Sequence, residues 1–368
     1  MVNILFLLNE LDDISHTRMT LDIVSSLDKR KYNPYVYSLK RKGSLEKEFK
    51  SLVKEHFYIS SENVIGDVLS IKNIISKSEI SIVQTPALRS DFTIFAVRLL
   101  YFGRRPFFHI AVRFNYLFKN ISLYHIAKKI LYLISIRIAD LNVCVGKHIR
   151  NRLIENLKIP SKKVCFIPNV ISFGSEKLVE DNLGKNFNLK RDIPIILYTG
   201  SLIERKNTVF LVKCLALVKR PYYCFLVGEG PERKKIAGLI DQLNLKGKII
   251  LTGYFRHISS FLKIADIFVM PSKDEGLSLS VIEAMHAGVP SIVSDIEGNR
   301  ELIGNLKEGL VFPLQDSKKF TSEISLLLEN QELRRKLGEN AIRKARKLYN
   351  FKKMLNEYDD LYQNVLKE

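Results

Sequence analysis

The chain has 368 residues, of which 46% are hydrophobic and 26% are charged. This composition is typical of a globular protein and excludes disorder, collagen and coiled coil as the main architecture. At roughly 150 residues per domain, the length suggests about two domains. Lysine and arginine number 58 against 39 acidic residues, so the formal net charge is +19. An excess of this size indicates an anionic partner: nucleic acid, a membrane or a phosphorylated substrate.

The positive charge is concentrated in the first part of the chain. Residues 1–170 carry 27 basic and 14 acidic side chains, a net charge of +13, whereas residues 171–368 carry 31 and 25, a net charge of +6. Glycine is distributed the other way, with 4 in the first part and 14 in the second. We therefore expect two domains with different tasks.

Near the N-terminus only five apolar residues, 4–8, stand in a row before Asn9, which is too short for a signal peptide and predicts a buried strand. No uncharged apolar run reaches the ~18 residues that a membrane span requires. The cysteines lack zinc-ligand spacing, so we expect buried, reduced thiols of a cytoplasmic protein. They are Cys144, Cys165, Cys214 and Cys224.

Short apolar runs alternate with longer amphipathic segments along the whole chain. The predicted strands, in chain order, are 4–8, 35–39, 80–84, 107–112, 142–145, 164–167, 195–199, 223–227, 249–252, 267–270, 291–293 and 310–312. Strands separated by helices indicate βαβ units with parallel sheets. Two sets of about six strands predict an α/β protein with two Rossmann-like domains.

The join between the domains is predicted from a change in composition. Residues 172–192 are polar with little periodicity, which is typical of a loop. We therefore expect domains at 1–170 and 193–350, with a linker at 171–192. The last predicted helix, 351–366, carries a regular apolar stripe and is expected to pack back on the first domain.

The most informative stretch begins where the strand predicted at 267–270 ends. Glu275 and Gly276 form a tight turn there, before a helix predicted from Leu279 to Ala287. Ligands of doubly wound folds bind beyond the carboxyl ends of the strands, so Glu275 lies where a ligand would bind.

Backbone amides and two carboxylates coincide at the start of this helix. The amides of Gly276, Leu277 and Ser278 are oriented to bind an anionic or hydroxyl-rich ligand. Glu275 and Glu283 could accept paired hydrogen bonds from sugar hydroxyls. Taken singly, Glu275 could instead be a negative charge favoured by the helix dipole, and Glu283 a solvated helix residue.

A second group of residues follows the strand predicted at 195–199. Gly200 permits a close turn of the backbone. Arg205 and Lys206 are adjacent cations that could neutralise a diphosphate, although alone they could equally be an exposed basic pair. Gly228 begins a partial G-x-G-x-x-G pattern, which is too weak to indicate a nicotinamide site.

Together these motifs resemble the retaining glycosyltransferases of the GT-B fold, the family 4 type that uses nucleotide-sugar donors. The resemblance covers residues 193–312 densely and extends more loosely over the first domain. It is carried by Gly200 with Arg205 and Lys206, by residues 227–231, 265–266, 271–272, 284–290 and 294–295, and by Glu275 with seven residues before Glu283.

The resemblance implies two Rossmann-like domains whose parallel sheets face each other across a cleft. Arg205 and Lys206 would bind the donor diphosphate and stabilise its charge as the sugar leaves, without a metal ion or another cofactor. Glu275 would hold hydroxyls of the transferred sugar, and Glu283 the ribose. The other implied donor-binding residues are Gly200, Gly228, Gly276, Leu277 and Ser278.

Three positions depart from the family pattern. The loop after the first strand, residues 9–16, contains no glycine. Arg113 occupies a position where many members carry a histidine, whereas His109 is predicted to be a core histidine. Ser201 replaces an arginine that is common just after Gly200.

Between Asp91 and Asp140 the chain has no acidic residue, eight basic residues and many aromatic ones. Such a surface suits an anionic membrane; alternatively, most of the aromatic residues are core and the basic ones form a solvated face. Nucleic acid also binds such surfaces, but no nucleic-acid motif is recognised, so none is expected as a partner. The residues expected on the acceptor or membrane side are Arg104, Arg105, Arg113, Lys128 and Lys129.

We therefore expect a retaining, metal-independent enzyme that moves a sugar from a nucleotide sugar, expected to be a UDP-sugar, to a saccharide acceptor. That acceptor could be carried on a polyprenyl diphosphate. The expected setting is cytoplasmic, on the inner face of the plasma membrane, in bacterial surface polysaccharide synthesis. The alternatives are a glycosyltransferase with a soluble acceptor, a sugar-nucleotide epimerase, and a non-catalytic subunit that binds a partner or lipid.

Overall fold

The computed structural model divides the chain into two compact units. Met1–Ile171 together with Phe351–Glu368 form the first unit, and Ser172–Asn350 form the second. The described residues are 1–114, 123–170, 172, 187, 189–190, 192–255 and 258–367, with residue 54 and residues 123–128 described by their backbone alone. The predicted linker at 171–192 therefore lies almost entirely outside the described residues.

The first unit is built on a parallel sheet of seven strands in the order β3-β2-β1-β4-β5-β6-β7. The strands are β1 (Val2–Leu8), β2 (Tyr32–Ser38), β3 (Phe57–Ile59), β4 (Ile82–Thr85), β5 (Phe108–Arg113), β6 (Leu141–Cys144) and β7 (Val164–Phe166). The helices are α1 (Ser15–Ser26), α2 (Glu46–Val53), α3 (Val64–Lys77), α4 (Leu88–Leu99), α5 (Leu123–Ile138) and α6 (Lys147–Glu155).

The second unit is built on a parallel sheet of six strands in the order β10-β9-β8-β11-β12-β13. The strands are β8 (Ile195–Thr199), β9 (Tyr223–Val227), β10 (Ile249–Gly253), β11 (Ile267–Met270), β12 (Ser291–Ser294) and β13 (Gly309–Phe312). The helices are α7 (Thr208–Leu215), α8 (Arg233–Gln242), α9 (Ser259–Ile264), α10 (Leu279–Ala287), α11 (Glu297–Leu302), α12 (Ser317–Glu329) and α13 (Gln331–Leu348).

The expected pair of Rossmann-like α/β domains is confirmed, and most strand positions agree with the sequence within three residues. The strands are short continuous apolar runs because parallel sheets in this architecture are covered on both faces. In β11, for example, all four residues are buried. Three of the four cysteines, Cys144, Cys214 and Cys224, are buried as free thiols, and Cys165 is half-buried.

One strand was missed by the sequence analysis. β3 has only three residues, all half-buried, and it pairs with β2 at the edge of the first sheet. An edge strand of this length shows neither an apolar run nor an alternation that could be recognised. The first sheet therefore has seven strands rather than about six.

The strand order of the second sheet reverses between β8 and β11, which are neighbours joined at Ile267↔Ile196 and Phe268↔Leu197. Where the order reverses, the two chain segments leave the sheet towards opposite faces, and a crevice opens at the carboxyl ends of the strands. The loops after β8 and β11 are therefore placed side by side.

The last helix, α14 (Phe351–Val365), belongs to the first unit and buries one stripe of side chains against it. Tyr362 is fully buried, and its Oη donates to Oε1 of Gln84 on β4 over 2.7 Å. Its ring meets that of Tyr32 edge-on, with centroids 5.7 Å apart. Asp359 adds a 2.8 Å ion pair with Lys31. Residues far apart in the chain are thus joined in one core.

We expect Tyr362→Ala to destabilise the first unit by about 3–5 kcal/mol, because it removes a large buried aromatic side chain. Tyr362→Phe should cost about 1–3 kcal/mol, since the ring remains but Gln84 loses its donor. The two units need not unfold together, so the measurement is urea-dependent hydrogen exchange of the β1 and β4 amides. Exposed Leu366→Ala is the control. Equal protection in Tyr362→Ala and the control would contradict the packing of α14.

Candidate active site

The two loops at the β8–β11 reversal bring together three of the charged residues that the sequence singled out. Arg205 and Lys206 lie in a short 3₁₀ turn, Glu204–Lys206, just beyond β8. Glu275 lies in the loop between β11 and α10. About 70 residues separate the cations from the carboxylate in sequence, and the reversal of the sheet order places them in contact.

Glu275 pairs with both cations. Its Oε1 lies 2.6 Å from Nζ of Lys206, and its Oε2 lies 3.3 Å from Nη1 of Arg205. The Glu275 side chain is 7% exposed and that of Lys206 13%, whereas Arg205 remains 37% exposed. One carboxylate therefore faces two cations, which leaves one positive charge in excess within this group of three.

The electrostatics of this group keep Glu275 ionised. Burial alone would raise the pKa of its carboxyl, but the charges of Lys206 and Arg205 outweigh burial and hold that pKa below its ordinary value. The carboxylate is thus negative throughout the neutral range, and it accepts hydrogen bonds without donating any.

Hydrogen bonds to backbone carbonyls join the two loops to each other. The Lys273 amide donates to the Arg205 carbonyl over 2.8 Å, and Nη1 of Arg205 donates to the Asp274 carbonyl over 2.7 Å. The side chain of Asn207 donates to the carbonyl of Pro271 over 3.1 Å. The two loops that carry Arg205, Lys206 and Glu275 are therefore hydrogen-bonded to each other.

Asn207 and Gly298 are two supporting residues that the sequence analysis missed. Asn207 has a left-handed backbone, φ 60°, a conformation that asparagine tolerates better than most residues. At Gly298 a Cβ would lie 2.4 Å from the carbonyl oxygen of Glu275, so only glycine lets the segment after β12 approach this loop. In the sequence, Asn207 could have been noticed because it directly precedes an apolar helix, whereas no sequence pattern marks Gly298.

Gly200 and Gly228 are brought together by the fold. A Cβ on Gly228 would lie 2.0 Å from the Gly200 carbonyl oxygen, and Gly228 has φ 148°. Close backbone packing thus accounts for Gly228, and its predicted contact with a donor stays a prediction. Gly200 also has a positive φ, 149°, where the chain turns towards Arg205.

The start of α10 is buried beside the ion group. Gly276, Leu277 and Ser278 are buried, and Ser278 Oγ has no hydrogen-bond partner among the described residues. Glu283 lies half-buried on the second turn of α10. The helix ends with Gly288 as its C-cap, whose left-handed φ of 74° is typical of glycine at this position. Polar groups available to a ligand therefore adjoin the Glu275 carboxylate.

Arg113 requires a correction. It was expected on the acceptor or membrane side, but it is the last residue of β5 and only 2% exposed. Its Nη1 lies 2.5 Å from Oδ2 of the fully buried Asp91, and its Nε donates to Asn142 over 2.8 Å. The reason is charge compensation: Asp91 is the acidic residue that precedes the acid-free interval, and Arg113 neutralises it inside the core.

His109 belongs to the same buried cluster, which confirms it as a core histidine. It is 1% exposed, and its Nε2 lies 2.8 Å from Oγ1 of Thr85. Burial raises the pKa of Asp91, but Arg113 and His109 hold it below its ordinary value. The cluster therefore joins β4, α4 and β5 by charged and hydrogen-bonded side chains inside the first unit.

The other basic residues of the acid-free interval differ in exposure. Arg98 pairs with Asp140 over 2.5 Å, so the second bordering acid is also neutralised. Arg104, Arg105 and Lys129 are exposed. The side chain of Lys128 lies outside the described residues.

The described part of the chain offers neither a cluster of metal-ligating side chains nor a membrane-spanning helix. There, no three His, Cys, Asp or Glu side chains form a group that could hold a metal ion. Likewise, among these residues no helix is both long and apolar enough to cross a bilayer.

The paired Glu275 predicts a pH dependence of stability. Because its pKa is lowered on folding, the carboxylate stabilises the protein above its ordinary pKa of 4.5, and this contribution is lost as pH falls through the folded-state value. At pH 7 we expect Glu275→Gln to destabilise the second unit by about 1–3 kcal/mol. The difference should persist down to about pH 5 and shrink below it.

The measurement is the free energy of urea unfolding of the wild type and of Glu275→Gln across this pH range. The matched control is Glu229→Gln, which removes one partner of an exposed ion pair with Arg233 and should leave stability unchanged within error. A Glu275→Gln effect that grows as pH falls would contradict the pairing.

In the comparison with known proteins, each unit matches a glycosyltransferase family model. Residues 179–344 match the family model described as "Glycosyl transferases group 1", and residues 16–173 match that described as "Glycosyltransferase Family 4". A relative from Campylobacter jejuni, N,N'-diacetylbacillosaminyl-diphospho-undecaprenol alpha-1,3-N-acetylgalactosaminyltransferase, is 31% identical over 64% of this chain and 64% of its own. An Escherichia coli UDP-Gal:alpha-D-GlcNAc-diphosphoundecaprenol alpha-1,3-galactosyltransferase is 27% identical over 60% and 59%. The chain thus spans less than two thirds of the length of these relatives.

Solved structures agree in fold over nearly the whole chain. A glycosyltransferase from Rickettsia africae has a TM-score of 0.81 at 22% identity, covering 100% of this chain and 99% of its own. Anabaena HepE in complex with UDP-glucose has a TM-score of 0.82 at 15% identity, covering 99% and 100%. Both units carry the parallel sheets of the GT-B class, and both match their own family model. The chain belongs to the glycosyl transferases group 1, the family 4 glycosyltransferases of the GT-B fold.

Proposed function

We propose that this chain is a retaining glycosyltransferase that moves a sugar from a nucleotide sugar, a UDP-sugar, to a saccharide on a polyprenyl-diphosphate carrier. The observation that carries the proposal is the group formed by Glu275, Lys206 and Arg205 at the strand reversal of the second sheet. The names of the two relatives describe transfer to diphospho-undecaprenol-linked sugars, and HepE was crystallised with UDP-glucose. The biological setting we propose is bacterial surface polysaccharide synthesis.

The excess positive charge of the group suits a diphosphate. Arg205, at 37% exposed, offers its guanidinium to a ligand, and Lys206 adds a second donor from a more enclosed position. When the bond between sugar and diphosphate breaks, negative charge develops on the leaving oxygen. Two fixed cations stabilise that charge without a metal ion, which is why we propose metal-independent transfer.

Glu275 is suited to the sugar of the donor. Its carboxylate already receives contacts from Lys206, Arg205 and the Ser272 side chain, and a carboxylate has about four acceptor positions. What remains of this capacity can accept a sugar hydroxyl. A sugar held by its hydroxyls in this way would expose one face to the acceptor. Attack from the same side as the departing diphosphate would retain the anomeric configuration of the sugar.

The start of α10 is suited to the nucleotide. We propose that the amides of Gly276, Leu277 and Ser278 bind phosphate oxygens, with the Ser278 hydroxyl, which has no partner among the described residues, as an additional donor. Glu283, one turn further along the same helix, would bind the ribose hydroxyls. The first unit would bind the acceptor, at the cytoplasmic face of the membrane that carries the lipid.

One observation favours a second candidate function. Arg113, at the position where many family members carry a histidine, is buried and bound to Asp91. A non-catalytic subunit that binds nucleotide sugar without transferring it would need no catalytic group there. The transfer assay below separates the two functions.

We expect Lys206→Ala and Glu275→Ala to lower transfer by about 10²–10³-fold or more, since each removes a group that acts on the transition state. Lys273→Ala is the matched control, because its side chain pairs with the exposed Glu204 and should leave turnover near wild type. The measurement is transfer from a panel of UDP-sugars to a diphosphate-linked saccharide. Donor binding without transfer by the wild type would favour the non-catalytic subunit, and normal turnover in both variants would refute the proposed site.

A further inference from the structure

A chain of buried hydrogen bonds leads from α11 to the loop that carries Glu275. Its members are Asn299 on α11, Ser294 at the end of β12 and Ser272 shortly after β11, and all three are fully buried. Nδ2 of Asn299 donates to the carbonyl oxygen and to Oγ of Ser294, each over 3.1 Å. Oγ of Ser294 donates in turn to the Ser272 carbonyl over 2.5 Å. Because a hydroxyl carries one proton, Ser294 accepts from Asn299 and spends its own proton on Ser272.

The last link joins the Ser272 hydroxyl to the carboxylate of Glu275. Burial raises the pKa of the Glu275 carboxyl, and after the two cations, the Ser272 hydroxyl lowers this pKa by a hydrogen bond. The thioether sulfur of Met270 also lies 3.1 Å from Oγ of Ser272, but a thioether accepts more weakly than a carboxylate. The carboxylate is therefore contacted both by cations and by a neutral hydroxyl.

The backbone next to Asn299 contacts the same loop directly. A Cβ on Gly298 would lie 2.4 Å from the carbonyl oxygen of Glu275 and 2.6 Å from that of Gly276. Helix α11 thus meets the Glu275 loop in two ways, by the backbone at Gly298 and by the hydrogen bonds that begin at Asn299.

One atom of Asn299 is not explained by packing. Its Oδ1 is buried and has no hydrogen-bond partner among the described residues. A buried carbonyl without a partner costs about 1–3 kcal/mol, a cost that an apolar side chain would avoid. What the asparagine contributes at this position is therefore its nitrogen, which holds Ser294.

We propose that Asn299 is a positioning residue, which through Ser294 and Ser272 fixes the orientation of the Glu275 carboxylate towards the sugar of the donor. This inference rests on the proposed function, in which Glu275 holds sugar hydroxyls.

A neutral chain does what the two cations cannot do alone. In the proposed function the cations also bind the diphosphate, so a bound nucleotide sugar competes with the carboxylate for them. Buried hydrogen bonds between uncharged groups are not drawn towards an anionic ligand, and in a low dielectric they hold their partners firmly. The carboxylate then keeps its direction while the cations bind phosphate oxygens.

The test is calorimetry of the full chain with UDP and with the UDP-sugar that the wild type binds most tightly. Asn299→Ala and Ser294→Ala should each bind UDP within about twofold of wild type. The dissociation constant of the UDP-sugar relative to that of UDP should rise by about fivefold or more, and kcat for transfer should fall by about tenfold. Since Asn299 acts through Ser294, the double variant should be no worse than the worse single variant.

The matched control is Ser291→Ala, a change of the same kind in the same strand. Ser291 is fully buried, and its Oγ has no hydrogen-bond partner among the described residues. This variant should keep the wild-type affinity ratio and kcat. Unchanged UDP binding shows that the second unit of each variant is folded, and Ser294→Ala, which removes a single oxygen atom, remains informative if Asn299→Ala does not fold.

The outcomes separate this inference from the proposed function. A wild-type affinity ratio and kcat in Asn299→Ala and Ser294→Ala would overturn the inference while transfer stands. So would losses that multiply in the double variant. A wild type that binds the UDP-sugar without transferring it, with the ratio still altered in both variants, would uphold the positioning role and remove the transfer function. A wild type that binds UDP but no UDP-sugar would refute both.

Discussion

The buried carboxylate of Glu275 between Lys206 and Arg205 is the constraint on which the rest of the second unit depends. At about 4 Å and an effective dielectric constant near 20, one such pair is worth about 4 kcal/mol of attraction, enough to offset much of the cost of burial. The pair can form only where two loops distant in sequence meet. The reversal of strand order between β8 and β11 supplies that place, and Gly298 and Asn207 hold the loops there.

The pairing of Glu275 with both Lys206 and Arg205 leaves a net positive charge that one cation alone would not leave. A single lysine would be neutralised by Glu275 and would offer little to an anion. With Arg205 added, the group keeps a net positive charge while Glu275 stays ionised. In the proposed function, adjacent atoms of the group would bind the diphosphate and a sugar hydroxyl, which would couple recognition of the two halves of the donor.

Much of this arrangement could be predicted from sequence because it follows from local rules. Apolar runs marked the parallel strands, and the helix predicted from Leu279 to Ala287 agrees with α10. Other features depend on contacts that no local pattern records. Gly228 is explained by the Gly200 carbonyl across a loop, and Arg113 by a buried aspartate 22 residues away in sequence. Strand β3 was missed because three half-buried residues carry no periodicity.

The most direct measurement is the affinity of Glu275→Gln for UDP, compared with wild type by calorimetry. If Glu275 neutralises the two cations that we propose bind the diphosphate, its removal frees positive charge, and UDP should bind more tightly by about tenfold while sugar transfer is lost. Glu283→Gln, which should weaken UDP binding, serves as the control of opposite sign. Unchanged or weaker UDP binding by Glu275→Gln would contradict the account.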